Sequence, residues 1–222
     1  MSEVKGKLIL AIEMGLEPGS ISILRDSDEI ASVVGEDNAS RSSDLIPVIK
    51  EILVNQHIKL SELTLIAVSN GPGSFTGVRV GLATARGLSM GSSIPCYGIS
   101  SLEALAKSAE RSIMDGVVRS VISTGRGSLI YRDFQVENEK IVKPVSEINS
   151  TSLESINDAD WVNGVELMVL DNKLNSLPLV NAIDASINLQ PLNLAKFIGL
   201  AASERIPDSV NESLKPIYAR GI

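Results

Sequence analysis

Three kinds of residue are scarce in this 222-residue sequence, and each scarcity argues against a class of function. The single cysteine, Cys96, excludes a disulfide within the chain and favours a reducing compartment. The single histidine, His57, excludes a metal site with two histidine ligands and disfavours a Ser-His-Asp triad. Aromatic residues make up only 3% of the chain, which leaves few platforms for stacking single-stranded nucleic acid. We therefore predict neither a catalytic residue nor a metal ligand.

Basic residues and long apolar runs are also in short supply. The chain has 20 Lys and Arg against 27 Asp and Glu, so its net charge is −7. Such a chain does not attract a phosphate backbone by itself, and any contact with nucleic acid should come through a partner. No apolar run approaches the ~18 residues of a membrane span. The early segment LILAI is too short for a signal peptide and stops at Glu13. A cytoplasmic protein without membrane contact is expected.

Apolar periodicity predicts an α/β fold in the first hundred residues. The segments KLILAIEMG, SISIL and EIASVV are short and separated by turns, which predicts an antiparallel meander of three strands. A helix should follow, with four apolar residues on one face: Leu45, Ile49, Ile52 and Leu53. The run TLIAVSN is typical of a central strand buried on both faces. A helix from about Ser74 to Met90, the strand IPCYGIS and the helix SSLEALAKSAER complete this half.

The second half shows the same order of strands first and helices later. VVRSVIST and SLIYRDFQVEN predict two strands around a glycine turn, KIVKPV adds a third, and ELMVL a fourth. NLAKFIGLAASER predicts a helix, with Leu194, Phe197, Ile198 and Ala201 on one face. The intervening SEINSTSLESINDADWVNG has no period and supports no assignment. We predict an N-terminal lobe over 1–100, completed by segment 205–222, and a second lobe over 101–204.

Residues 69–91, SNGPGSFTGVRVGLATARGLSMG, are rich in glycine, as phosphate-binding loops are. A P-loop requires G-x-x-x-x-G-K-[ST], but this segment contains no lysine. The dinucleotide fingerprint G-x-G-x-x-G would need a glycine where Thr76 stands. A weaker alternative stays open, in which backbone N–H groups at the helix start hold an anion. Its candidate residues are Glu13, Gly71, Gly73 and Ser74.

A row of small residues lies along one face of the predicted helix, at every fourth position: Gly73, Gly77, Gly81 and Ala85. Each glycine inside a helix costs roughly 0.5–1 kcal/mol relative to alanine, so the row needs an offsetting gain. Missing side chains allow another backbone to approach closely. We interpret the row as a docking groove for a second helix.

The spacing alone leaves two occupants open for this groove. One is a helix of the same chain, such as residues 44–56, and the other is a second subunit. Arg79 and Arg86 lie seven residues apart on a shared flank and could frame a contact with acidic groups. We predict that these two arginines and the small-residue row form a subunit interface.

The segment NGPGSFTGVRVGLATARGL resembles the signature of the bacterial tRNA threonylcarbamoyladenosine biosynthesis protein TsaB family, G-P-G-S-F-T-G-[LVI]-R-[IV]-G. LILAIEMG is similar to that family's first strand, and DLIPVIKEIL to its first helix. KPIYAR is similar to its C-terminal P-x-Y-x-R. The resemblance spans nearly the whole chain and is most specific between Gly71 and Gly81.

This resemblance implies a fold of two ribonuclease H-like lobes, of the actin-like ATPase type. It implies a non-catalytic subunit that dimerises with its paralogue TsaD through helices including the glycine-rich one, and that can also form homodimers. With the ATPase TsaE, that complex transfers a threonylcarbamoyl group from its adenylate onto adenosine 37 of tRNAs reading ANN codons. The chain itself would bind no cofactor, ATP would be used by the wider complex, and tRNA would be contacted only through that complex.

This sequence departs from the family pattern at three places. The first is where related kinases bind phosphate, and the other two are family motifs. Glu13-Met14-Gly15 replaces Asp-Thr-Ser after the first strand, Arg41-Ser42-Ser43 replaces a histidine, and Ser123-Thr124-Gly125-Arg126 replaces an Asp-Ala-Arg-like element. The alternative function is an actin-like ATPase or phosphotransferase using Glu13 and the turn Gly71–Ser74. A glycoprotease-like hydrolase is a third reading, which the lack of a metal site or triad disfavours.

Overall fold

The structure is a computed structural model that describes eight stretches of the chain: 6–16, 18–35, 45–108, 115–125, 128–152, 165–169, 193–205 and 214–218. The chain divides into two compact units. Unit 1 comprises Met1–Ala104 and Asn193–Ile217, and unit 2 comprises Leu105–Leu192 and Tyr218–Ile222. Unit 1 is therefore built from two separated stretches of sequence.

Unit 1 is built on a five-stranded mixed sheet with the order β3-β2-β1-β4-β5. Its strands are β1 (Leu8–Glu13), β2 (Ser20–Arg25), β3 (Asp28–Val34), β4 (Leu65–Ser69) and β5 (Cys96–Ile99). The predicted meander is confirmed, since β2 pairs antiparallel with both β1 and β3. Strands β1, β4 and β5 run parallel, so their carboxyl ends meet at one edge of the sheet.

Two helices cover one face of this sheet, α1 (Leu45–Asn55) and α2 (Phe75–Ser92). The four residues predicted for the buried face of α1 are all buried, and they pack in one cluster with sheet residues such as Leu10 and Ile12. Val78 and Leu82 of α2 belong to the same cluster. The 3.6-residue period thus predicted correctly which side of α1 is buried.

A helix from the far end of the chain, α4 (Leu194–Ser203), packs on the opposite face of the sheet. Gly199 lies so close to Leu24 and Ala11 that a Cβ atom there would collide with Leu24. The amide of Ala195 in its first turn donates to Ser20 Oγ at 2.9 Å. The predicted boundary at 204 is therefore wrong for this helix, which belongs to unit 1 because its apolar face completes the core of that sheet.

Helix α3 (Ser101–Ser108) directly follows β5, as predicted. Glu103 and Arg205 form a salt bridge, in which Arg205 Nη2 donates to both carboxylate oxygens of Glu103 at 2.6 Å. Since Arg205 lies just beyond α4, this pair ties the start of α3 to the end of the returning segment.

Unit 2 contains a second five-stranded sheet. Its strands are β6 (Gly116–Gly125), β7 (Ser128–Glu137), β8 (Lys140–Pro144), β9 (Asn149–Ser152) and β10 (Val165–Val169). The order is β10-β6-β7-β8, with β9 also paired to β7. Four of these strands were predicted, whereas β9 falls in the stretch without a period. With one mixed sheet in each unit, the predicted α/β class is confirmed.

Within the stretches that the structure describes, no helix is both long and apolar enough to cross a bilayer.

Candidate functional site

Helix α2 carries most of the residues that sequence analysis selected as a site. It begins after the N-cap Ser74, whose Oγ accepts the amide of Gly77 at 3.4 Å, and it ends at Ser92. Ser93 then adopts a left-handed conformation with φ of 58°. The inner face of this helix packs against the chain, whereas the outer face is exposed.

The inner face holds the small-residue row, and its occupant is the turn that follows β1. A Cβ atom on Gly77 would collide with the carbonyl oxygen of Met14, and one on Gly73 would lie 2.5 Å from that of Gly15. Gly81 makes ordinary contacts with the side chains of Met14 and Val68. The glycines thus admit a backbone of the same chain, but that backbone belongs to a turn and not to a helix such as residues 44–56.

This packing corrects the prediction that the row is a groove for a second helix or subunit. Neither helix α1 nor another chain is needed, because the backbone of Met14 and Gly15 already fills the space beside Gly73 and Gly77. Gly81 and Ala85 are fully buried in unit 1. Of the predicted interface residues, only the two arginines and the edge at Gly73 face outward.

The outer face of α2 is exposed and partly apolar. The side chain of Phe75 is 57% exposed and that of Met90 is 84% exposed. The guanidinium of Arg79 lies over the Phe75 ring, 3.7 Å from its centroid. Small residues on this face leave open space, because Ala83 is exposed and a Cβ on Gly87 or Gly91 would meet nothing within 4 Å.

Sequence reasoning missed this outer face. Its signal was a second row of small residues on the opposite side of the same helix: Ala83, Gly87 and Gly91. Helix α1 also exposes two apolar side chains, those of Ile46 and Val54. We call the exposed residues Phe75, Arg79, Ala83, Gly87, Met90 and Gly91 the outer α2 face.

Arg86, which was predicted to flank the interface, is exposed and also makes a contact within the chain. Its Nη2 donates to the carbonyl oxygen of Leu214 at 2.8 Å. Three residues on, the amide of Ile217 donates to the carbonyl oxygen of Asn70 at 2.7 Å. The C-terminal segment 214–217 is therefore bound to both α2 and the loop that precedes it.

The loop before α2, one half of the nucleotide alternative, is closed by contacts within unit 1. The Gly71–Pro72 peptide bond is cis. The carbonyl oxygen of Gly71 accepts the amide of Ser101 at 2.8 Å, and a Cβ on Gly71 would lie 2.8 Å from the oxygen of Ile217. The amide of Ser74 donates to Gly15 at 2.6 Å.

Glu13, the other half of that alternative, points back into its own turn. The residue is only 1% exposed, and its Oε1 accepts the amides of Gly15 at 2.6 Å and Leu16 at 2.9 Å. Burial raises the pKa of this carboxyl to about 7, and the two backbone hydrogen bonds oppose the rise. A nucleotide's phosphates do not fit this turn, because the amides of Gly15, Leu16 and Ser74 are already bonded within the chain.

Other groups with catalytic potential are placed unfavourably for chemistry. Cys96 is completely buried, and burial raises the pKa of its thiol to about 12, so the reactive thiolate is suppressed. His57 is exposed at the end of α1, with φ of 55°. Among the described residues, no three His, Cys, Asp or Glu side chains cluster as metal ligands would.

Known proteins resemble this chain in sequence, and the matched region includes helix α2. The family model of TsaD, tRNA N6-adenosine threonylcarbamoyltransferase, matches residues 33–186. The chain belongs to this family. The TsaD-family match covers more than half of the sequence, including helices α1 and α2 and most of unit 2.

Curated relatives of this TsaD-family chain are TsaB proteins, which confirms the resemblance seen in the glycine segment. The tRNA threonylcarbamoyladenosine biosynthesis protein TsaB of Buchnera aphidicola subsp. Schizaphis graminum is 30% identical over 131 residues. That stretch covers 59% of this chain and 62% of the relative, so the match spans less than two thirds of the relative's length. TsaB of Escherichia coli K12 is 28% identical over 165 residues, 69% of each chain.

A solved structure shares the fold over almost the entire chain. YeaZ from Pseudomonas aeruginosa superposes with a TM-score of 0.73 at 21% sequence identity, covering 96% of this chain and 100% of that one. The chain therefore shares the fold of that protein, with a mixed sheet in each of its two units.

Proposed function

We propose that the chain is a non-catalytic scaffold subunit in tRNA threonylcarbamoyladenosine biosynthesis. It dimerises with a TsaD homologue, which transfers a threonylcarbamoyl group onto adenosine 37 of tRNAs reading ANN codons. A TsaE homologue joins through the complex and accounts for the use of ATP. The family match and the names of the relatives support the pathway, and tRNA reaches this chain only through its partners.

The observation that carries this proposal is the outer α2 face. Interfaces concentrate their binding energy in a few aromatic, Met and Arg side chains surrounded by closely packed neighbours. Phe75, Arg79 and Met90 are residues of these types, all on one exposed helix. The open positions at Gly87 and Gly91 would let a partner helix approach closely, because helix separation depends on the side chains at the contact.

The non-catalytic part of the proposal is supported by where the reactive groups lie. The Cys96 thiol is buried with a raised pKa, and the buried Glu13 carboxyl bonds its own turn. No contact in the described structure favours the ATPase alternative, in which Glu13 and the turn Gly71–Ser74 would bind phosphates. A homodimer would use the same outer face, since a two-fold interface pairs one patch with itself.

The proposal is tested by co-purifying the chain with its TsaD homologue. Gly87→Leu places a large side chain in open space, so it should leave the fold intact and block a close helix. We expect at least tenfold weaker association, the equivalent of about 1.4 kcal/mol. Gly87→Ala is the matched control and should bind nearly as well as the parent chain.

A second pair of variants checks the apolar part of the face. Met90→Glu should weaken the complex, whereas Val142→Glu changes another exposed apolar residue, on β8, and should not. Association that survives both Gly87→Leu and Met90→Glu would exclude the outer α2 face as the docking surface.

A further inference from the structure

The turn after β1 has a geometry suited to binding an anion. The amides of Gly15 and Leu16 are consecutive and converge on a single oxygen atom, at 2.6 and 2.9 Å. Successive backbone N–H groups that converge in this way form an anion-binding concavity. In this chain the converging oxygen is Oε1 of Glu13, two residues before the first of the two amides.

The position of the turn in the fold is also one where ligands bind. It follows the carboxyl end of β1, and the loop Asn70–Gly73 follows the carboxyl end of the neighbouring parallel strand β4. In open α/β sheets, ligands bind outside this edge of the strands. The N-terminus of α2 is also adjacent, because the amide of its N-cap Ser74 donates to the oxygen of Gly15.

We propose that Glu13 closes this turn to phosphate and nucleotide ligands by occupying, with its own carboxyl oxygen, the pair of amides that an anion would need. The side chain is 1% exposed, so an incoming phosphate would have to displace a buried group that already satisfies both donors. When Glu13 is ionised, it also repels a second anion at this distance. The nucleotide chemistry that the fold type implies is therefore blocked by a residue of the chain itself.

The surrounding packing leaves the turn little freedom to open another way. A Cβ on Gly15 would lie 2.8 Å from Cγ2 of Val78 and 3.2 Å from Oε1 of Glu13. The same Cβ would also lie 3.7 Å from Cα of Gly73. Removing the carboxyl group is the change that frees the two amides without moving α2.

The experiment compares phosphate binding by the parent chain and by Glu13→Ala. Thermal unfolding is followed while sodium phosphate replaces sodium chloride at constant ionic strength. Glu13→Ala should show a saturable rise of the melting temperature, with an apparent phosphate affinity at least tenfold tighter than that of the parent chain. Glu13→Gln keeps an acceptor oxygen at the two amides and should show no such rise.

Glu29→Ala is the matched control elsewhere in the same sheet. Glu29 is also a bonded carboxylate, but its partners are the side chains of Ser22 and Asn193 instead of an amide pair. This variant should gain no phosphate affinity. If the parent chain binds phosphate as tightly as Glu13→Ala, or if Glu13→Ala gains none, the proposal is overturned.

A measurement on the parent chain covers the case in which Glu13→Ala does not fold. The amide chemical shifts of Gly15 and Leu16 should titrate together with the Glu13 carboxyl, and Glu13→Gln should abolish that titration. If the amide chemical shifts of Gly15 and Leu16 do not change as Glu13 ionises, the proposal is contradicted. This inference and the proposed function can fail independently. Phosphate binding is measured with variants at Glu13, whereas association with TsaD is measured with variants at Gly87 and Met90.

Discussion

Glu13 carries a carboxyl group that is almost completely buried, and its ionisation should make stability depend on pH. Its pKa is about 7 in the folded chain, against an ordinary value of 4.5, because burial penalises the charged form. A raised folded-state pKa means that the folded chain binds the proton more tightly than the unfolded chain does. The contribution to stability is complete below pH 4.5 and is lost as the pH rises to about 7.

This pH dependence can be measured with urea unfolding at several pH values. The free energy of unfolding of the parent chain, relative to Glu13→Gln, should fall by roughly 1–3 kcal/mol between pH 5 and pH 8, since each pKa unit is worth about 1.4 kcal/mol. Glu13→Gln is the control because its amide cannot ionise. Parallel curves for the two proteins would mean that Glu13 does not titrate in this range.

Helix α2 contains glycines in two different environments, although their spacing in the sequence is alike. Gly77 packs against the backbone of Met14, whereas Gly87 faces open space. Gly77→Ala puts a Cβ against the carbonyl oxygen of Met14, so the turn or the helix has to shift. We expect a loss of about 1–3 kcal/mol in the free energy of unfolding, as for other overpacked sites. Circular dichroism during chemical denaturation measures this loss directly.

Gly87→Ala provides the opposite case in the same helix. Nothing lies within 4 Å of the added Cβ, and alanine is the better helix former by about 0.5–1 kcal/mol. This variant should therefore be slightly more stable than the parent chain. Equal destabilisation by both substitutions would show that the inner row has no close backbone neighbour.

Periodicity was enough to predict where most elements lie and which side of α1 is buried. Strand β9 was missed because NSTS is short and polar, and it owes its place to pairing with β7. The glycine row was correctly identified as a site of close approach, but its occupant could not be deduced. Small residues at every fourth position predict that another backbone packs closely against the helix. Which backbone this is depends on contacts between residues distant in sequence.

The candidate site shows the same limit. Sequence reasoning selected Glu13 for its position at the end of a strand, and the direction of its side chain decides whether the turn is open or closed. That direction follows from the local bonds to Gly15 and Leu16, which no spacing rule describes. The outer α2 face was overlooked because the inner row offered the stronger repeat.

For the whole molecule, the main fact is that unit 1 is discontinuous in sequence. Helix α4 covers the sheet face that carries Ala11 and Leu24, and it buries Leu194 and Ile198 there. Each large apolar side chain buried in this way contributes about 1.5–3 kcal/mol. Since whole domains are stable by only about 5–15 kcal/mol, the loss of α4 should unfold the unit.

A shortened chain that ends at residue 192 should therefore lose cooperative thermal unfolding and bind a hydrophobic dye. A chain that ends at residue 205 keeps α4 but lacks the segment 214–217, with its bonds to Asn70 and Arg86. It should stay folded with a lowered melting temperature. Cooperative unfolding of the 192-residue chain would show that unit 1 does not depend on its returning segment.

The late arrival of α4 has a consequence for how the protein is made. A ribosome that adds about 5–20 residues per second needs several seconds to pass from the end of α3 to the start of α4. During that interval the nascent sheet has its strands but lacks the cover over Ile9, Ala11 and Leu24, which are fully buried in the finished protein. We expect the growing polypeptide to need a chaperone at this stage, and the first lobe to close only after α4 has been translated.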